Sequence, residues 1–182
     1  MTATNTSGTQ RLVLDQAAID AAARQQIDEG AVTPGYGPWR DDIVKLLNDA
    51  LATELVCILR YKRHYFTAKG VHSPAIAEEF MVHANEESAH ADKIAERISE
   101  LGGEPDFSPA TLLERSHAEY DASLDLQAMV RANLVAERIA VETYRQMIVL
   151  IGDKDPTTRR MLEEVLADEE EHANELSDWL TR

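Results

Sequence analysis

The chain has 182 residues, of which 44% are apolar, 28% charged and only 5% aromatic, with a single cysteine, Cys57. That length suits one soluble domain that buries its core without staples, and one cysteine excludes an intrachain disulfide or a four-cysteine zinc or iron site. The balance of 18 Lys and Arg against 33 Asp and Glu gives a net charge of −15, which repels nucleic acid and anionic membranes and makes metal cations the natural counter-ions. No apolar stretch approaches the ~20 residues of a membrane span. The start, Met1-Thr-Ala-Thr-Asn-Thr-Ser-Gly8, lacks the charged, then apolar, run of a signal peptide. A cytoplasmic protein is expected.

In chain order, residues 1–10 are small and polar and are expected to be disordered. Residues 12–29 can form one amphipathic helix. Gly30 to Pro38, with three glycines and two prolines, then breaks regular structure. The chain thus divides into an arm and linker, 1–38, and a body, 39–182. The body's first helix opens at Pro38-Trp39 and runs to Gly70. Ser73-Pro74 starts a second, ending at Gly102-Gly103. Ser108-Pro109 opens a shorter helix to about Tyr120. A third long helix runs from near Ser123 to Gly152, and Asp155-Pro156 begins a fourth. No strand-like alternation occurs, so an all-α four-helix bundle is expected, with helices of about 40 Å at 1.5 Å per residue. The first and last connections are short, so each joins antiparallel neighbours. The long middle connection crosses over, carries its own short helix and leaves helices two and three parallel. The basic run Arg60-Tyr-Lys-Arg-His64 reads as a solvated helix face.

At 3-4 spacing the first helix reads Leu47, Leu51, Glu54, Ile58, Tyr61, Tyr65, and the second Ile76, Phe80, His83, Glu87, His90, Ile94, Ile98, Leu101. The third reads Leu126, Val130, Leu134, Glu137, Val141, Tyr144, Ile148, Ile151, and the fourth Leu162, Val165, Glu169, His172, Leu176, Trp179. Each stripe is a core face, yet each carries a glutamate near its middle, and two add a histidine three residues on. A lone buried carboxylate costs several kcal/mol unless neutralised or paired. Four aimed at one centre repel, and two divalent cations cancel their charge. This set matches the constellation of di-iron and di-manganese carboxylate proteins. A buried polar network without metal is the plainer alternative. Glu114-Arg-Ser-His117 is a third Glu-x-x-His, but no apolar stripe surrounds it and it reads as surface.

The two halves repeat one another. Glu54-Leu-Val-Cys-Ile-Leu-Arg-Tyr61 aligns with Glu137-Arg-Ile-Ala-Val-Glu-Thr-Tyr144, and Glu86-Glu-Ser-Ala-His-Ala91 with Asp168-Glu-Glu-Glu-His-Ala173. Two hairpins about a pseudo-two-fold axis would build a symmetric two-metal site. Glu86 and Asp168 are candidate partners of the histidines' outer nitrogens. Tyr61 and Tyr144 either serve a bound ligand, by a hydrogen bond or an electron, or are core aromatics with satisfied hydroxyls.

On these motifs residues 44–180 resemble the ferritin-like superfamily, bacterioferritins above all. The resemblance implies a ferroxidase centre in which Glu87 and Glu169 bridge two irons, Glu54 and Glu137 are terminal ligands, and His90 and His172 each hold one iron. Ser88 replaces the family's haem methionine, so no haem is expected. Only ten residues follow His172, too few for the fifth helix of 24-subunit ferritins, and a helix in the crossover looks like the twelve-subunit Dps mini-ferritins. A hybrid Dps-like group combines both features, some members adding a cysteine pair that this chain lacks. Cys57 reads as a small core residue. The function this implies is oxidation of Fe²⁺ by O₂ or H₂O₂ and storage of ferric mineral in a homo-oligomeric cage, a dodecamer rather than a 24-mer. The alternatives are a di-iron or di-manganese peroxidase, catalase or oxygenase and, less consistent with −15, a DNA-protecting protein.

Overall fold

The computed structural model describes residues 12–181. Among them are six α-helices and no strand: α1 (Gln16–Ala23), α2 (Arg40–Thr67), α3 (Ser73–Glu100), α4 (Leu112–Arg115), α5 (Leu126–Ile151) and α6 (Pro156–Thr181). Residues 36–182 fall in one compact unit, and the chain up to Gly35 in another. The expected disorder of residues 1–10 lies outside the described residues. The single helix expected over 12–29 is instead the eight-residue α1, capped by Asp15, followed by a left-handed Gln26 and a 3-10 turn at Ile27–Glu29. No residue of α1 is buried, and a helix without an apolar partner face is marginal in water.

The four long helices begin and end where the punctuation places them. Pro74 occupies the first turn of α3, Asp125 caps α5 by accepting from the Ala128 amide at 2.9 Å, and Gly152 ends α5 with φ of 50°. Asp155 caps α6 through the Thr158 amide at 3.0 Å, and Arg97 of α3 closes on the same carboxylate at 2.9 Å. Gly103, just past α3, is a packing glycine: a Cβ there would lie 2.6 Å from Val44 Cγ1. Helix α2 packs along α3 and α5 along α6, while α2 also meets α5 and α3 meets α6. Two apolar clusters, one around Leu47, Ile94, Ile98 and Leu162, the other around Phe80, Met129 and Leu176, fill the bundle.

The crossover corrects two expectations. Its helix is the four residues of α4 rather than 109–120, because Ser116 turns to an extended backbone and its hydroxyl bonds locally to Ala118. Of its two adjacent leucines, Leu112 is buried beside Ala52 and Val56, and Leu113 is exposed. The basic run is not a solvated face either. Arg60 and His64 are fully buried and hold the crossover: Arg60 donates to Asn133 Oδ1 (2.7 Å) and to the Glu119 carbonyl (3.0 Å), and His64 Nε2 pairs with Asp121 at 3.1 Å. The third Glu-x-x-His is at the surface: Glu114, on α4, and His117, past its end, are both exposed, and the His117 ring lies 3.1 Å from Thr53 Oγ1.

Candidate metal centre

All four mid-helix glutamates and the two histidines that follow a glutamate by three residues meet inside the bundle, each buried: Glu54 on α2, Glu87 and His90 on α3, Glu137 on α5, Glu169 and His172 on α6. They form two overlapping groups. Glu54, Glu87, His90 and Glu169 bring ligand atoms within 4.8 Å of one another, and so do Glu87, Glu137, Glu169 and His172. Glu87 and Glu169 belong to both, which is the disposition of bridging carboxylates.

Each histidine turns Nε2 outward and Nδ1 inward. His90 Nε2 pairs with Asp168 Oδ2 and His172 Nε2 with Glu86 Oε2, both at 3.0 Å, so each ring is held by a carboxylate of the opposite hairpin. A proton kept on Nε2 leaves the inner nitrogen free for a cation. The tyrosines cross over too: Tyr61 donates to Glu137 Oε1, and Tyr144 to Glu54 Oε1. Their hydroxyls are thereby satisfied within the set.

The centre itself is not satisfied. Six buried polar atoms lack a hydrogen-bond partner: Glu54 Oε2, Glu87 Oε1, Glu137 Oε2, both oxygens of Glu169 and His172 Nδ1. His172 Nδ1 faces Glu87, Glu137 and Glu169 at 3.7–3.8 Å, beyond hydrogen-bond range. His90 Nδ1 stands 3.3–3.7 Å from Glu54, Glu87 and Glu169 oxygens. Such spacings are close to those of ligands about 2.0–2.2 Å from a common ion.

Electrostatics describe the same gap. Burial, then the neighbouring carboxylates, raises Glu87 and Glu169 well above the ordinary carboxylate range. Burial works the same way on Glu54 and Glu137, but the nearby Glu87 and His90 for the first, and His172 and Glu169 for the second, leave both lowered, Glu137 to about 2. Burial opposes charge on the imidazoles, yet Glu54 and Glu87 lift His90 to about 11, and Glu137 lifts His172. The shifts of Glu87, Glu169 and both rings all favour holding a proton where cations would sit. Cys57, buried beside the set, is pushed up to about 12 by burial and stays a thiol, as its reading as a core residue requires.

Ser88 is exposed on α3. One buried group near the centre had no role in the sequence reading. His83 lies in the α3 stripe, its Nδ1 3.1 Å from the Tyr61 hydroxyl and its ring stacked on His172 at 4.1 Å. Its position seven residues before His90, with no histidine at the matching place in the other half, was the signal available.

A helical bundle with carboxylates and histidines converging from all four long helices defines a ferritin-like protein. Residues 44–182 match the ferritin-like domain, and the chain belongs to that family. It is 30% identical, over 74% of this chain and 78% of the relative, to a nutrient stress-induced DNA-binding protein of a Synechococcus species. To a bacterioferritin of Mycobacterium leprae it is 29% identical, over 76% and 84%. Among solved structures it resembles a dodecameric thioferritin, the bacterioferritin-related protein of Bacteroides fragilis (33% identity, 78% of this chain and 86% of that one, TM-score 0.75). It shares its fold with Dps from Thermosynechococcus elongatus (19% identity, 81% and 95%, TM-score 0.77). No helix among the described residues is long and apolar enough to cross a membrane.

Proposed function

We propose that this protein oxidises Fe²⁺ at the buried six-residue centre, two ions per subunit, and stores the ferric product. The observation that carries the reading is the six orphaned atoms: a core that leaves four carboxylates unmatched is complete only with cations. Four glutamates and two divalent ions sum to zero. Glu87 and Glu169 bridge, Glu54 and Glu137 are terminal, and His90 and His172 each take one ion through Nδ1. Hard carboxylate ligands suit Fe²⁺ and Fe³⁺ alike. With two ions adjacent, electrons leave in pairs: two Fe²⁺, O₂ and two protons give two Fe³⁺ and H₂O₂, or two Fe²⁺, H₂O₂ and two protons give two Fe³⁺ and two waters. Tyr61 and Tyr144 orient the terminal carboxylates.

A cage of twelve chains of 20.3 kDa, about 244 kDa, is the assembly that fits, supported by likeness to the dodecameric thioferritin. A charge of −15 per chain gives such a cage acidic walls that concentrate cations. The same charge weighs against DNA binding despite the Synechococcus relative's name. No haem is proposed, because Ser88 offers no thioether, and a stoichiometric Soret band in the purified protein would refute that. The cytoplasm, with its Fe²⁺ supply, is the proposed location. Stopped-flow oxidation of added Fe²⁺ by O₂ and by H₂O₂ tests the centre: Glu87→Gln and Glu169→Gln each abolish the fast phase. An unchanged fast phase in both variants overturns the reading. A native mass of 41 kDa, a dimer, would instead favour a di-metal peroxidase or oxygenase.

A further inference from the structure

We infer that Glu79, His83 and Glu175 form a third divalent-cation site, at the rim of the bundle and one imidazole removed from the centre. Their ligand atoms lie within 4.8 Å of one another. His83 Nε2 is 2.9 Å from Glu175 Oε2 and 4.0 Å from Glu79 Oε1. The imidazole is fully buried, whereas the two carboxylate side chains are 27% and 44% exposed, so the group opens to solvent at one end and ends on a fixed nitrogen at the other.

Proton counting shows what is missing. Tyr61 has one proton, and it goes to Glu137. The tyrosine oxygen, 3.1 Å from His83 Nδ1, therefore accepts from that nitrogen. That leaves Nε2, pointed at the carboxylates of Glu79 and Glu175, as the ring atom available to a cation. Glu79 is itself pushed up, first by burial and then by the nearby Glu175, as expected of acids crowded without a counter-ion. A divalent cation satisfies all three groups at once, with one imidazole and two carboxylates as ligands and water completing the shell, a donor set suited to zinc, iron or manganese.

The other half of the molecule shows that the fold does not demand this trio. The repeat relates Glu87 to Glu169 and His90 to His172 by 82 residues. By the same offset, Glu79, His83 and Lys93 correspond to Met161, Val165 and Glu175. The repeat-related place thus has Met161 and Val165 of α6 where the rim site has Glu79 and His83, and Lys93 of α3 where Glu175 stands. Val165 is fully buried among apolar neighbours, so a packed core side chain serves at that place. The 2.9 Å contact need open only by a few tenths of an ångström, and the half-exposed Glu175 has the freedom to move.

The rim site shares no ligand with the proposed centre, so the two readings can fail separately. The probe is Zn²⁺, soaked into crystals of the full chain and located by anomalous scattering at the zinc edge, with equilibrium dialysis counting bound zinc in solution. In the parent protein a peak is expected about 2.0–2.1 Å from His83 Nε2, besides those at the centre. Glu79→Gln with Glu175→Gln should lose that peak and one equivalent of zinc per chain, and keep the others. Glu87→Gln with Glu169→Gln should lose the centre's peaks and keep the rim's. A rim peak without central ones leaves this inference standing and removes the di-metal centre. If the parent map shows His83 bonded directly to Glu175 with no peak, the trio is an imidazolium–carboxylate bridge and the inference is wrong. Survival of the peak and the zinc equivalent in Glu79→Gln with Glu175→Gln overturns it equally.

Discussion

Two buried polar clusters occupy this bundle, and they are built to opposite rules. Around Arg60 every hydrogen bond closes. The guanidinium donates to Asn133 Oδ1, the Glu119 carbonyl and Cys57 Sγ; Asn133 donates to His64 Nδ1; and His64 donates to Asp121. Burial holds His64 below its ordinary range, so the neutral ring has one donor and one acceptor, and both are used. Around Glu87 and Glu169, in a cluster whose Glu54 lies six residues before Arg60 on α2 and whose Glu137 lies four residues after Asn133 on α5, six atoms have no partner. The first cluster is finished by the chain alone and fastens the crossover. The second is finished only by something the chain does not encode. Closure, rather than burial or charge, separates a structural polar core from a binding one.

The contrast breaks most sharply under paired substitutions. Glu87→Gln with Glu169→Gln should slow Fe²⁺ oxidation by more than the ~10–100-fold typical when only an outer partner of a ligand is lost. The metal-free protein should melt no lower at pH 7, since amides replace carboxylates that crowd Glu54 and Glu137. Calorimetry beside stopped-flow reads both. Arg60→Met should do the reverse. Asn133 Oδ1 and the Glu119 carbonyl lose their donor, at about 1–3 kcal/mol each, a loss that urea unfolding would register, while the fast phase of oxidation survives in the protein that remains folded. Equal loss of stability in both variants would mean the clusters are not opposites.

Acidity sharpens the comparison. In the metal-free protein Glu87, Glu169, His90 and His172 all have raised pKa values. The native state then holds more protons than the unfolded chain, so stability falls as pH rises above about 4.5, where the unfolded glutamates give up their protons, and falls further above about 6.5, where the unfolded histidines do. Lowered Glu54 and Glu137 contribute the opposite slope, but only below about pH 4.5. Divalent ions at the centre displace protons from the raised groups. A pH-stat should therefore record proton release on loading, and the loaded protein's melting temperature should vary less from pH 6 to 9 than the metal-free protein's. The smallest effect is reserved for His117→Ala, which removes a ring from Thr53 in the crossover. It should leave the oxidation rate unchanged and cost about 1 kcal/mol or less, as thermal melts would show.

The centre was legible because its chemistry contradicts its pattern. A glutamate at the 3.6-residue period of an apolar stripe is conspicuous, and the halves say it twice. The Arg60 cluster was not, since its members come from residues 57 to 133 and none stands on an apolar stripe. Helix α5 was half legible. Leu126, Leu134, Val141 and Ile148 of its expected face are only partly buried, while Met129, Asn133, Ala136, Ala140 and Met147 are buried. Alanine offers less apolar surface than leucine or valine, but its small side chain lets a neighbouring helix approach, so packing turns the helix away from its greasiest face. Crossover and arm were misjudged for a related reason. Proline and serine announce where a helix starts, whereas its length depends on what it packs against.

The crosswise supports have a consequence for how the molecule comes together. Asp168 steadies His90, Glu86 steadies His172, Tyr61 serves Glu137 and Tyr144 serves Glu54. Neither hairpin owns a finished half-site. A fragment carrying α2 and α3 alone would present two glutamates and a histidine with the outer nitrogen unguarded, a poor trap for iron while the rest of the chain is still being made. On the proposed function, competence to take up the metal would therefore arrive only when the hairpins dock, which would spare the nascent chain from handling a redox-active ion before it can enclose one.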